Sequence, residues 1–181
     1  MVARRESEPT SKNETTIERK TDRELVVTRT IAGPARLVFE AWSKPELFMR
    51  WWVPKSVPIH VISCEMDVRT GGTYRLVFGM EGREPMAFFG KYLEVTPPSR
   101  IVWTNDEGGE GTGAVTTVTF EERDGKTLIV MHELFPSKDA LDEELASGSK
   151  DGMAETFDQL DEVIATLSGQ ARPGDRSART P

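Results

Sequence analysis

Residues 152–167 read GMAETFDQLDEVIATL, and their spacing decides the architecture. Met153, Phe157, Leu160, Ile164 and Leu167 recur at steps of four, three, four and three, which places them on one face of a single helix. Glu155, Asp158, Asp161 and Glu162 fall on the other faces. Such a helix has to bury its apolar stripe against something else in the chain.

Working back toward the N-terminus, the only extended partner is a series of strands. Val57–Met66, Thr73–Gly79, Met86–Val95, Arg100–Asn105, Ala114–Glu122 and Thr127–Leu134 are each rich in β-branched or aromatic residues. Gly71-Gly72, Glu81-Gly82, Pro97-Pro98, Gly108-Gly109 and Asp124-Gly125 separate them, and Asp-Gly between alternating runs is a strong hairpin signal. Successive hairpins imply an antiparallel meander. A further strand, Glu24–Ile31, precedes Gly33-Pro34, after which Val38, Phe39 and Trp42 at helical spacing mark a short helix. Pro45 opens a second short helix through Leu47, Phe48, Trp51 and Trp52. One strand, two short helices, six strands and a long helix make an α+β fold in which a curved antiparallel sheet wraps around the C-terminal helix.

The chain has 181 residues, enough for one domain with a self-sufficient core. Residues 1–22 and 169–181 are poor in apolar side chains and read as disordered tails around a domain spanning 23–168. Net charge is −7 with no basic stripe, which disfavours direct contact with nucleic acid. No apolar run reaches the roughly 20 residues needed to cross a bilayer, and the N-terminus lacks a signal peptide's apolar region. Cys64, the only cysteine, excludes an intramolecular disulfide, so a monomeric cytoplasmic protein is expected.

This order of signals resembles the START-like helix-grip superfamily, in the branch related to the activator of the heat-shock chaperone ATPase. The resemblance rests on PARLVFEAW (34–42), KPELFMRWW (44–52), DVRTGGTYR (67–75), GKYLEVTP (90–97), RIVWT (100–104) and the closing helix. It implies a cavity between sheet and helix that holds a small apolar ligand. Trp42, Met49, Trp52, Phe78, Met86, Phe88 and Trp103 supply the adaptable apolar surface suited to line it. Phe39, Trp42 and Trp51 also serve as core side chains in such a fold.

Motifs for catalysis are weak. His60, Cys64, Glu65, His132 and Glu133 offer metal-ligand and acid–base chemistry, but His132-Glu133 is not followed by the second His of a zinc-protease helix. No G-x-S-x-G elbow occurs, and Gly71-Gly72 lacks the Lys-Ser/Thr of a phosphate loop. Neither a metal nor a cofactor is expected. The loop NDEGGEGTG (105–113), four glycines in nine residues, reads first as an acidic hairpin connection.

A narrower resemblance, to the self-sacrificing resistance proteins of producers of calicheamicin-type enediynes, gives that loop a second meaning. It implies that an enediyne-type natural product is the partner. A glycine Cα, unshielded by a side chain, then donates hydrogen to the ligand's diradical, with cleavage of the backbone. Gly113, adjoining the strand from Ala114, is the candidate donor and cleavage site, provided a bulge turns it toward the concave face. The protein would then be a single-use binder and not an enzyme. The superfamily also implies a polyketide cyclase or aromatase, with Tyr74, Arg75, Tyr92 and His132 as polar candidates, or a co-chaperone module whose cavity is incidental.

Overall fold

In the computed structural model, which describes residues 14–170, eight strands form one antiparallel sheet. They are β1 (Thr16–Arg19), β2 (Glu24–Ile31), β3 (His60–Met66), β4 (Thr73–Gly79), β5 (Met86–Thr96), β6 (Arg100–Thr104), β7 (Val115–Arg123) and β8 (Lys126–Leu134). The helices are α1 (Ala35–Ser43), α2 (Pro45–Phe48), α3 (Lys138–Ala146) and α4 (Met153–Gln170). The spatial order is β1-β2-β8-β7-β6-β5-β4-β3, so β3 to β8 run as a meander and β2 closes onto β8.

Alternation sets which face is buried. In β2, Leu25, Val27, Arg29 and Ile31 point inward while the residues between them are half-exposed. β7 and β8 repeat the pattern through Val118, Phe120, Ile129 and Met131. Of the stripe expected on the final helix, Phe157, Leu160 and Ile164 are at most 1% exposed, while Met153 and Leu167 at its two ends are half-buried. Burying stripes of this kind supplies roughly 25 cal/mol per Å² of apolar surface removed from water.

Polar side chains fix how α4 lies on the sheet. Arg29, 4% exposed, donates at 2.7 Å to both Asp158 and Asp161, two helix acids that spacing alone places away from the apolar stripe. Gly33 lets the turn after β2 approach closely, since a Cβ there would lie 2.3 Å from Ile164 Cγ2. The Gln159 amide donates to the carbonyls of Trp51 and Val53 and its oxygen accepts from Lys55 N–H, while Glu155 accepts from Ser56 N–H. One helix thereby holds the irregular segment 51–56, whose backbone groups would otherwise lack partners.

Four features depart from expectation. Thr16–Arg19, assigned from its polarity to a tail, is an edge strand paired with β2. Backbone pairing carries this segment where side-chain burial does not. Residues 1–13 and 171–181 lie outside the described part, and α4 runs on to Gln170. The helix α3 was not anticipated, although Ser137 caps it by accepting from Ala140 N–H, with Asp139 in its first turn. Strand β3 begins at His60 and not at Val57, because Pro58 interrupts the segment before it.

Candidate functional site

Between the concave face of the sheet and the N-terminal half of α4 lies a cavity of about 390 Å³. Its floor is aromatic. Trp42 projects from α1 with its ring centroid 4.8 to 5.9 Å from those of Trp51, Trp52, Trp103 and Phe120, within the range of favourable tilted and edge contacts. Trp51 lies behind this layer, fully buried, with its indole N–H donated to Ala41 O. The Trp42 N–H is buried and has no hydrogen-bond acceptor among the described residues.

The sheet contributes Tyr74, Leu76 and Phe78 from β4 and Met86, Phe88 and Tyr92 from β5, the inward positions of two adjacent strands. The α4-held segment contributes Trp52, Val53 and Pro54, with Val57 and Ile59 beyond it. Six of the seven residues expected to line the cavity therefore do so: Trp42, Trp52, Phe78, Met86, Phe88 and Trp103. Met49 is placed elsewhere. It follows α2 directly after the buried Phe48, one helical step around, and is 41% exposed outside the lining. Nothing but the exact phase of a four-residue helix distinguishes the two.

The polar lining was less legible. Glu133 and Thr116 face each other across β8 and β7, and the α3–α4 turn brings Lys150 to within 3.0 Å of Glu133 Oε1 and 2.8 Å of Oε2. Glu144 of α3 lies 3.4 Å from the same ammonium and accepts from Ser149 Oγ. Glu133 was considered as a metal ligand with His60, Cys64, Glu65 and His132, but the fold disperses that set. His132 points to the opposite face and bonds Glu24 at 2.9 Å, and His60 lies against Gly79 at the sheet edge. Among the described residues no three His, Cys, Asp or Glu side chains gather as metal ligands would.

Of the polar groups weighed for a cyclase, only the two tyrosines reach the cavity; Arg75 is exposed and His132 points away. The Tyr74 hydroxyl donates to Thr104 O at 2.7 Å. Burial, foremost, pushes both phenols above their ordinary value, with the nearby Glu107 adding to the effect on Tyr74. They are hydrogen-bond donors at neutral pH and not bases. Burial also pushes the Cys64 thiol up to about 11, in keeping with a small apolar filler rather than a nucleophile.

The glycine-rich connection between β6 and β7 borders the cavity through Asn105, and it is tied down. Asn105 bonds Ala114 O through both its backbone N–H and its side-chain amide. Asp106, 8% exposed, accepts from Thr104 Oγ1 and Gly111 N–H, and its own N–H donates to Phe89 O. Lys91 pairs with Glu110. The bulge invoked to turn Gly113 inward is not there: β6 and β7 stay in register through Thr104 and Val115, and Gly113 stands just before the strand. It is a glycine because the backbone approaches too closely for anything else, a Cβ falling 1.8 Å from Asn105 O. Gly113 therefore abuts a lining residue without lining the cavity itself.

A curved antiparallel sheet gripping a C-terminal helix around an apolar cavity defines the helix-grip class. Residues 32–165 match the family described as Activator of Hsp90 ATPase homolog 1-like protein, and the chain belongs to that family. Among solved structures it is similar to a Rhodobacter sphaeroides protein (TM-score 0.77, 21% identity, covering 85% of this chain and 99% of that one). A Staphylococcus epidermidis protein (TM-score 0.69, 27% identity, 84% and 94%) is similar too. So is the AHSA1-like protein from Aeromonas hydrophila (TM-score 0.62, 18% identity, 82% and 98%). No curated protein sequence matches significantly.

Proposed function

We propose that the protein binds an apolar small molecule in the sheet–helix cavity and protects the cytoplasm of its host from it, the ligand being an enediyne-type antibiotic. The observation that carries this reading is the cavity itself: about 390 Å³, floored by Trp42, Trp52 and Trp103 and flanked by Phe78, Met86 and Phe88. That volume and lining suit a rigid, largely apolar natural product. Support for a binder over a catalyst comes from the two tyrosines of the lining, whose phenols burial holds above their ordinary value, and from a lining that is mostly apolar.

Gly113 supplies the protective chemistry. A ligand seated on the aromatic floor and reaching past Asn105 brings its diradical to the edge of the glycine connection. The Gly113 Cα–H bond breaks homolytically and its hydrogen atom joins one of the two ligand radical carbons, leaving a glycyl radical flanked by two peptide groups; the second ligand carbon takes its hydrogen atom from the activating thiol. Dioxygen captures that radical and the backbone is cleaved there. Each protein molecule acts once.

The test combines full-length protein, uniformly labelled with dideuterated glycine, and a thiol-activated calicheamicin-type enediyne. The reading expects one dominant cut at Gly113 and deuterium in the aromatised ligand. An intact chain, scattered cuts or an unlabelled product would overturn it. Isotope is preferable to substitution, because any side chain at 113 collides with the Asn105 carbonyl.

A further inference from the structure

The cavity holds a second kind of information in its charged residues, Glu133, Glu144 and Lys150. Resting on the cavity-binding reading above, we infer that Glu133 is a recognition carboxylate for a cationic amine carried by the apolar ligand, with Lys150 as a displaceable internal counter-ion.

Three observations lead there. First, Glu133 is only 9% exposed and faces a predominantly apolar space. Withdrawing a carboxylate and an ammonium from water costs more than such a pair commonly returns, and packed apolar side chains would serve stability as well or better. Stability alone does not account for the pair.

Second, the pair is incomplete. Lys150 donates to Glu133 Oε1 at 3.0 Å, but Oε2, although 2.8 Å from the same nitrogen, lies outside hydrogen-bonding geometry and has no donor among the described residues. A buried acceptor with unused capacity is costly unless something else completes it. Thr116 stands directly opposite on β7, where its hydroxyl oxygen accepts from Asn105 Nδ2, and it makes no bond to Glu133.

Third, Lys150 has somewhere to go. It stands in the turn between α3 and α4, already 3.4 Å from Glu144 Oε1. Two carboxylates share one ammonium, so the charged lining is formally one positive charge short. An incoming ammonium at Glu133 lets Lys150 pass wholly to Glu144, and both carboxylates end up paired. The class of ligand selected is an apolar, ring-bearing body with one basic nitrogen at the end nearest the α3–α4 turn, and carboxylate-bearing analogues are rejected.

Calorimetry on the full-length protein tests this with three matched probes: 1-naphthylmethylamine, 1-naphthylmethanol and 1-naphthoate. The amine should bind about tenfold more tightly than the alcohol, and the naphthoate most weakly. Glu133→Gln should collapse the amine-to-alcohol affinity ratio to about one, while an unchanged urea midpoint and residual binding of the alcohol report that the fold and cavity are intact. Lys150→Met should act in the opposite sense and tighten the amine, since its internal competitor is gone. Equal binding of amine and alcohol by the unmodified protein, an amine preference that persists in Glu133→Gln, or naphthoate binding most tightly overturns the inference and leaves the cavity reading standing. Failure of all three probes to bind overturns both.

Discussion

The two ends of the concave surface are made of the same materials and used differently. Around β2, β7, β8 and α4 the inward residues are sealed: Val27, Ile31, Val118, Leu160 and Ile164 are all 0% exposed, and Arg29 fastens the helix to the sheet. Around β4 and β5 the same alternation buries Tyr74, Leu76, Phe78 and Tyr92 but leaves Met86 and Phe88, at the far end of the two strands, 40% and 42% exposed, because the irregular segment 51–59 and the α3–α4 turn cover them only partly. One sheet is thus a core at one end and a receptor at the other.

Substitutions can break that comparison. At the sealed end, Leu160→Ala should cost about 3 kcal/mol in urea unfolding, from lost burial plus the void left behind. A cost near zero would mean that α4 is not the core's keystone. Gly33→Ala pushes a methyl to within 2.3 Å of Ile164 Cγ2 and should cost about 1–3 kcal/mol, the lower end if that side chain can rotate away. At the receptor end the balance reverses. Phe88→Ala should cost only about 1 kcal/mol, from the partial burial of its ring against Phe78, yet weaken an apolar ligand roughly fivefold. Equal effects on stability at both ends would erase the distinction.

Smaller effects come from titration. Glu24 is held below its ordinary value of 4.5, first by its hydrogen bond with His132 and then by that with Thr21. A depressed carboxylate contributes stability above its unfolded pKa and loses it as pH falls through the folded one, so this contribution should fade below about pH 4.5. Asp142, lowered first by Lys138 and then by Arg19, behaves alike. Urea midpoints of Glu24→Gln should be less acid-sensitive than those of the parent across that range. Smallest of all, the Cys64 thiol, raised to about 11, should react slowly with a thiol reagent at pH 8 and accelerate as alkali is added. Free-cysteine reactivity at pH 8 would show that β3 does not shelter it.

The sequence made the sealed end more legible than the receptor end, for a physical reason. The period of α4, the alternation of the strands and the Asp124-Gly125 turn, both of whose residues have positive φ, are local patterns enforced over many residues. The edge strand β1 escaped because it owes its place to backbone pairing and not to burial. At the site, aromatic and methionine positions were readable as a class, and only Met49, one step out of phase after α2, fell outside the lining. The Glu133–Lys150–Glu144 group was not readable, because it joins a strand, a turn and a helix with no fixed spacing. Gly113 was picked out by resemblance, and its local geometry, set by the Asn105 carbonyl, follows from strand proximity that no one-dimensional pattern encodes.

The central claim is that the concave space is a binding cavity, and amide and indole NMR shifts of full-length protein titrated with 1-naphthylmethanol test it most directly. The account predicts saturable movement of the Trp42, Trp52 and Trp103 indole signals and of the β4 and β5 amides, with those of β1 and β2 still. No saturable shift, or shifts centred on the exposed Ile62 and Leu93, would contradict it.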